Sequence, residues 1–301
     1  MRVLVTGGLG IVGRPLVQEL RKRGHDVWVM DLFHHHDRQY VRCDVGEFRQ
    51  LQQAFKIANF DYVYHLAAEF GRHNGEDFFE TMWKSNVIGT KNMIKLQAQK
   101  KFRMVFASSS EIYGDFRGVM AEKMPEKKPI RQLNDYAISK WVNEQQIMNS
   151  ESRFKTETVR LRLFNSYGPG EYYSPYRSAV CIFIYRALHN MPYTVYTENC
   201  RSLTYIDDMV NAMANVMNNF KPREVYNISG DHNVTMKEVS DTILKILGKD
   251  DSLVNYESVE KYNALKKIAD NTKAKRDLGY RTSVSLDKGL KRTAEWQKKV
   301  Y

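Results

Sequence analysis

The sequence predicts an α/β protein built on a doubly wound parallel sheet, with a smaller and less regular C-terminal lobe. Three observations carry this. Apolar, strand-like runs alternate with helically spaced segments from Arg2 to Leu163. A glycine-rich turn, TGGLGIVG at 6–13, joins the first strand to the first helix. The alternation breaks after Gly168-Pro169-Gly170, where aromatic and turn residues take over. Strand–helix alternation implies right-handed crossovers that lay helices on both faces of a parallel sheet.

In chain order, Arg2 to Thr6 is a short apolar strand. Ile11 to Arg23 carries Ile11, Leu16, Val17 and Leu20 at helical spacing, and Gly24 is placed to cap it. Val27 to Met30 is a second strand, and a third ends just before Asp44. Glu47 to Ile57 is helical, Tyr62 to His65 a strand, and Phe78 to Lys100 one long helix. Phe102 to Ala107 is a strand, Tyr136 to Met148 a helix and Thr158 to Leu163 a strand. Tyr172 to Tyr176 is turn-like, and a helix follows to about Leu188. Val225 to Ile228 is a strand that returns to the main sheet. Helices recur near Met236 to Leu247, Thr272 to Leu278 and Leu286 to Lys298. The expected division is 1–168 for the first domain, with a returning segment near 203–247, and 169–301 for the second lobe.

Composition narrows the function. With 301 residues and 43% hydrophobic content the chain can bury a sizeable core. No apolar run reaches membrane-spanning length. The N-terminus passes straight into a strand and glycines without a signal-peptide cleavage site, so a soluble, cytoplasmic protein that binds no membrane is expected. Cys43, Cys181 and Cys200 form neither a disulfide framework nor a CxxC pattern and are expected to be reduced thiols. His34-His35-His36 is read as a loop, because adjacent residues seldom converge on one ion, and no metal is expected. The net charge of +11 lies on Lys and Arg spread along the chain, with no basic tract and no nucleic-acid recognition motif. Solvated basic faces fit this better than nucleic acid, and some of the charge can attract a phosphate-bearing small molecule.

Gly7, Gly10 and Gly13 are spaced G-x-x-G-x-x-G between a strand and a helix. Glycines there permit a tight turn and close backbone approach, and the helix N-terminus offers N–H groups to a pyrophosphate. Asp31 ends the second strand, 18 residues after Gly13. An acid there accepts hydrogen bonds from an adenine ribose and disfavours the extra phosphate of NADP, so NAD is the expected cofactor. Arg38 nearby leaves NADP open. Asp44 either meets the adenine edge or caps the helix that follows. Tyr136 and Lys140, in YAISK, lie one helical turn apart on one face. A lysine charge there would lower the phenol pKa and make Tyr136 a usable base.

Taken together, these motifs make the sequence resemble the extended short-chain dehydrogenase/reductase family, specifically its NAD-dependent nucleotide-sugar epimerases and dehydratases. The residues carrying the resemblance are TGGLGIVG (6–13), Asp31, CDV (43–45), HLAA (65–68), NVIGT (86–90), SSSEIYG (108–114), YAISK (136–140), RLFNSYGPG (162–170) and RSLTYIDD (201–208), continuing to DNTKAKRDLGY (270–280). It covers nearly the whole chain and implies a Rossmann-type sheet with a nucleotide-sugar-binding lobe. It places Ile11, Val12, Val45, Leu66, Ala67, Ala68 and Asn86 along a tightly bound NAD. Asn165 and Arg201 would contact the substrate's diphosphate, although by residue type alone Asn165 also suits a strand-end turn and Arg201 a surface ion pair with Asp207 and Asp208. It implies a homodimer formed through the Phe78–Lys100 and Tyr136–Met148 segments.

The chemistry the resemblance implies runs through a 4-keto sugar. Tyr136 takes the proton of the sugar 4-hydroxyl as C4 loses hydride, Lys140 holds the nicotinamide ribose, and Ser109, four residues before Tyr113, hydrogen-bonds the sugar oxygen. The next two positions, Ser110 and Glu111, select the reaction. Related 4,6-dehydratases place a glutamate at the position of Glu111 to remove the C5 proton, and Ser110 matches the GDP-mannose dehydratase type. A 4,6-dehydratase is therefore the leading expectation, ahead of epimerisation at C4 or beside the keto group. UDP-glucuronate decarboxylation comes third, because the arginine those relatives carry near D-x-x-K-A is absent and only Lys266 and Lys267 stand there. The approach RQLND to Tyr136 also lacks the prolines of many relatives. A non-catalytic dinucleotide-binding regulator is the alternative of another class, and the presence of both Tyr136 and Lys140 speaks against it. YYSPYRS at 172–178 suits either a base-stacking surface or packing within the lobe.

Overall fold

The computed structural model describes all 301 residues. Seven strands form the main parallel sheet. Their spatial order is Val225–Ile228, Thr158–Leu163, Arg103–Ser109, Tyr62–His65, Arg2–Thr6, Asp26–Asp31 and Tyr40–Arg42. Val3 pairs in register with Val27 on one side and Tyr62 on the other. The strand order therefore reverses beside Arg2–Thr6, and ligands of such sheets bind off the strand ends at that point.

The sheet is apolar on both faces because helices cover both. In Arg103–Ser109 every residue after Arg103 is buried, as a central parallel strand requires. On one face Leu4, Met30, Val63, Met104 and Phe106 pack with Leu51, Phe55, Met93, Ile94 and Leu96 from the helices Phe48–Ile57 and Gly89–Lys100. The first helix is Gly13–Lys22, starting two residues later than the periodicity suggests, and Gly24 follows it with a left-handed φ of +83°.

The segment around Asn86 departs from the sequence expectation. The segment read as one helix from Phe78 is Phe79–Met82, then a π-helical stretch Trp83–Ile88, then Gly89–Lys100. Asn86 sits in the widened turn, where its side chain is bonded to the Glu69 backbone rather than to the helix surface. Such π-turns commonly mark functional positions. The helix beginning at Asp135 runs to Phe154, six residues beyond the expected end, and Asn134 caps it by accepting from the Ala137 N–H at 2.8 Å.

The chain packs as two compact units. One comprises Met1–Ile112, Asn134–Arg162 and Val210–Tyr226; the other comprises Tyr113–Leu133, Leu163–Met209 and Asn227–Tyr301. The chain thus passes between units after Ile112, Leu133, Arg162, Met209 and Tyr226. The second unit holds a four-stranded sheet ordered Asn233–Thr235, Cys200–Ser202, Lys266–Ala269 and Val119–Met120. It also holds the helices Ala179–Leu188, Met236–Leu247, Thr272–Leu278 and Leu286–Val300. Met236–Leu247 opens on a reciprocal Thr235–Glu238 capping box and closes at Gly248. No helix is long and apolar enough to cross a membrane.

Candidate active site

The glycine turn leaves the first strand where the strand order reverses. The Gly7 N–H donates to the Met30 carbonyl at 2.8 Å, and Gly7 has φ +67°. A Cβ on Gly7 would lie 2.8 Å from the Ala67 nitrogen, so the turn touches the backbone of the HLAA segment. A Cβ on Gly13 would lie 2.1 Å from the Gly7 carbonyl oxygen, so the helix can start there only without one. Asp31 is fixed beside the turn: one carboxylate oxygen accepts from the Leu9 N–H at 2.9 Å and the other from the Leu32 N–H at 2.8 Å. A bare backbone cradle, a helix N-terminus and a carboxylate at the end of the next strand fit a dinucleotide.

A buried chain of hydrogen bonds supports the cradle. The Thr6 hydroxyl meets His65 Nδ1 at 2.8 Å and accepts from the Ala67 N–H at 3.2 Å, while His65 Nε2 meets the Thr90 hydroxyl at 3.2 Å. Burial first, and the Lys140 charge second, pull His65 down to about 3, so it stays neutral. Asn86 donates to the Ser139 hydroxyl at 3.0 Å, which donates to the Tyr136 carbonyl at 2.8 Å. The π-turn is thereby tied to the first turn of the helix Asp135–Phe154. Leu66, Ala67, Ala68, Ile11 and Val12 are partly exposed around the cradle, and Val45 is buried. Asp44 is not the helix cap, a place taken by Glu47. Its carboxylate accepts from the Gly46 N–H at 2.8 Å and lies 3.1 Å from Lys84 Nζ.

The strand Arg103–Ser109 runs into a 3-10 turn, Ser110–Tyr113, and delivers Ser109, Ser110 and Glu111 to the start of the helix Asp135–Phe154. The Ser109 hydroxyl is hydrogen-bonded to Tyr136 and accepts from the Glu111 N–H at 3.2 Å. Ser110 is buried beside it. Lys140 is buried, and its ammonium donates to the Ala107 carbonyl at 2.9 Å, 5.8 Å from the centre of the Tyr136 ring. Burial pulls Lys140 down to about 8.

The phenol does not behave as the YAISK spacing suggests. Burial of its hydroxyl pushes Tyr136 up to about 12; the Ser109 hydrogen bond opposes this and the Glu111 charge adds to it. Lys140 is committed to a backbone carbonyl, so desolvation outweighs its charge. The resting Tyr136 is a phenol.

In the second unit, Arg201 is buried and donates to the Cys200 and Leu265 carbonyls at 2.8 and 2.9 Å. That burial excludes a surface ion pair. Asp208 instead accepts from the Ser283 and Val284 backbone and the Ser283 hydroxyl. Arg201 is in register with Lys267, also buried, on the neighbouring parallel strand. The Asn165 carbonyl accepts from the Thr204 N–H, and its side-chain oxygen is buried without a partner. Tyr173 stacks on Tyr185 with centroids 3.7 Å apart, and Tyr172 packs edge-on against Trp296, which favours lobe packing over base stacking for this pair.

The motif reading left out Glu144. Ser108 donates to Glu144 at 2.5 Å, and Glu144 is gripped by Arg162 and Arg160. The available signal was spacing: Glu144 lies four residues after Lys140, on the same helical face.

A model of the NAD dependent epimerase/dehydratase family matches residues 3–229. The chain is 28% identical over 318 residues to a UDP-N-acetyl-alpha-D-glucosaminuronate decarboxylase of Bacillus cytotoxicus, covering 99% of this chain and 98% of that one. A UDP-glucose 4-epimerase of Thermotoga maritima, solved with UDP-glucose, superposes with a TM-score of 0.90 at 27% identity, covering 100% and 99% of the two chains. A dTDP-glucose 4,6-dehydratase of Streptomyces venezuelae, solved with NAD, gives 0.88 at 26% identity, covering 99% and 97%.

Proposed function

The chain belongs to the NAD dependent epimerase/dehydratase family, and from that premise we propose that it is a nucleotide-sugar 4,6-dehydratase acting through a 4-keto sugar. The observation that carries the reading is Glu111. It stands on the 3-10 turn beside the Ser109–Tyr136 pair, close enough for its charge to raise the Tyr136 pKa. A second acid–base group at that place is what removal of a proton beside a ketone requires.

The chemistry that NAD would supply when bound is storage of the C4 hydride and its delivery to C6 after water has left. Gly7, Gly10, Gly13 and Asp31 would hold it, with Lys140 on its ribose, while Asn86, whose buried side chain is committed to Glu69 and Ser139, acts from behind as support. Tyr136 takes the 4-hydroxyl proton, and Ser109, already bonded to Tyr136, orients that oxygen. Glu111 takes the C5 proton, which the 4-keto group has acidified, and Ser110 assists loss of the C6 hydroxyl as water. In the second unit, Asn165, Arg201 and Lys267 would hold the diphosphate through charge-assisted hydrogen bonds.

A second reading has its own support. Several relatives are named decarboxylases, at 28–30% identity. The deciding experiment incubates purified protein with dTDP-glucose, GDP-mannose, UDP-glucose and UDP-glucuronate. A keto-6-deoxy product lighter by one water supports dehydration. Release of carbon dioxide supports decarboxylation, and an isomer of equal mass supports epimerisation.

The active form is a homodimer in this reading. Phe78, Phe79, Trp83 and Ile88 on one segment and Trp141 on the catalytic helix are large, apolar and exposed. The two segments are joined by Asn86–Ser139 and by Gln146 donating to the Val87 carbonyl. An apolar surface of this kind favours burial against a second copy.

A further inference from the structure

We propose that Glu144 and Ser108 are a positioning pair that holds Ser109 within reach of Tyr136. The inference rests on reading Ser109 and Tyr136 as the proton-transfer pair. Three consecutive residues at the end of the central strand are each tied to one residue of the catalytic helix. The Ala107 carbonyl accepts from Lys140 at 2.9 Å, Ser108 donates to Glu144 at 2.5 Å, and Ser109 is bonded to Tyr136. Tyr136, Lys140 and Glu144 follow each other at four-residue intervals, so one helical face makes all three contacts.

Glu144 is the fixed member of this clamp. Arg162 donates to its two oxygens at 3.0 and 2.8 Å, and Arg160 reaches it at 3.4 Å, both from the strand Thr158–Leu163. Burial opposes ionisation, but the Arg162 and Arg160 guanidiniums hold the Glu144 carboxyl below its usual range. The carboxylate is therefore a permanent, immobile acceptor for Ser108. Ser108 is itself buried, so its hydroxyl serves the protein interior. Hydrogen-bond geometry tolerates only a few tenths of an ångström. A strand end released at Ser108 lets the Ser109 hydroxyl drift from Tyr136, while the Glu144–Arg ion pairs stay intact.

The test compares Ser108→Ala with Ser108→Thr, which keeps the hydroxyl, in holoenzyme labelled at the tyrosine ζ carbon. The Tyr136 resonance is assigned by its loss in Tyr136→Phe. Ser108→Ala is expected to move it to the position it takes in Ser109→Ala, and Ser108→Thr to leave it near the wild-type position. A Ser108→Ala resonance coincident with wild type overturns the inference, as does a Ser108→Thr resonance displaced equally far. With the nucleotide sugar that the wild type converts, Ser108→Ala is expected to lower kcat by about tenfold to hundredfold, leave KM within about twofold and be rescued by threonine. Wild-type kcat in Ser108→Ala overturns the inference. Wild-type turnover in Tyr136→Phe overturns instead the acid–base reading beneath it.

Discussion

Replacing Gly7 and Gly24 by alanine separates the two things a glycine can do. Both have a left-handed φ, +67° and +83°, and a Cβ in that region costs about 1–2 kcal/mol. At Gly24 that is the whole effect, because nothing lies within 4 Å of the added carbon. At Gly7 the added carbon would sit 2.8 Å from Ala67 N, 2.9 Å from Ala67 Cα and 3.0 Å from Leu66 C. These are backbone atoms, which cannot swing aside as a long side chain does. Overpacking of this kind adds about 1–3 kcal/mol, so Gly7→Ala should be less stable than Gly24→Ala by about that amount. The same displacement opens the turn from HLAA and moves the N–H groups meant for a pyrophosphate. Calorimetric melting with and without added NAD reads both consequences. Gly24→Ala should keep the NAD-dependent rise in Tm, and Gly7→Ala should lose it. Equal stability and equal NAD response in the two variants would refute close backbone approach as the reason for glycine at position 7.

Four further outcomes are expected. Burial pushes Glu151 from 4.5 up to about 7; between those pH values the folded chain keeps a proton that the unfolded chain has lost, so this group's contribution to stability falls as pH rises through the window. Glu151→Gln should remove that slope and exceed wild type at pH 8 by at most about 3 kcal/mol. The opposing loss from His65 below pH 6.5 is common to both proteins and cancels in the difference. Arg162→Met leaves the buried Glu144 with Arg160 alone and should cost about 3–5 kcal/mol in urea unfolding; a loss under about 1 kcal/mol would contradict the network. Trp83→Glu together with Trp141→Glu should shift the protein from dimer to monomer in analytical ultracentrifugation, and an unchanged sedimentation coefficient would sink the proposed interface. Glu111→Gln should retain sugar-dependent NADH formation but lose release of the keto-6-deoxy product; failure to form NADH would place Glu111 in the first step instead.

Most of the first unit was readable because its strands and longer helices carry a periodic signal; the six-residue helix Arg72–Asp77 does not. Tyr62–His65 and Thr158–Leu163 are four and six residues long and bounded as the apolar runs suggest. The second unit was not, because its strands are short. Val119–Met120, Ser166–Tyr167 and Thr204–Tyr205 have two residues each, too few for any period to register. The helix Ile206–Asn215 was also missed, hidden behind the RSLTYIDD motif. The π-turn at Trp83–Ile88 is invisible to periodicity, since one widened turn shifts the apolar stripe by a single residue. What creates it is Asn86 reaching to the Glu69 backbone, a contact of long sequence separation. The structure brings Ser109, Glu111, Tyr136 and Lys140 together as the motifs suggest, but their electrostatics were not legible. Spacing put Lys140 beside Tyr136, and only the packing shows that burial of the phenol outweighs that neighbour.

That last point changes how the two proposed bases work together. Tyr136 is a phenol at rest, with burial and the Glu111 charge both opposing its ionisation, so it must lose its own proton before it can take one from the sugar. Two anions confined in one site disfavour each other, so the carboxylate at 111 and a phenolate at 136 are competing states. The reaction order exploits the competition. Once Tyr136 has taken the 4-hydroxyl proton it is neutral, and nothing from that side opposes Glu111 as the carboxylate that attacks C5–H. Glu111 can pass that proton to the departing C6 hydroxyl, which leaves as water, and the proton held by Tyr136 then balances the one C5 has lost, so that the sugar oxygen stays a ketone. Replacing Glu111 by glutamine removes the opposing charge, eases the first transfer and abolishes the second, which is why the oxidised sugar should accumulate in that variant.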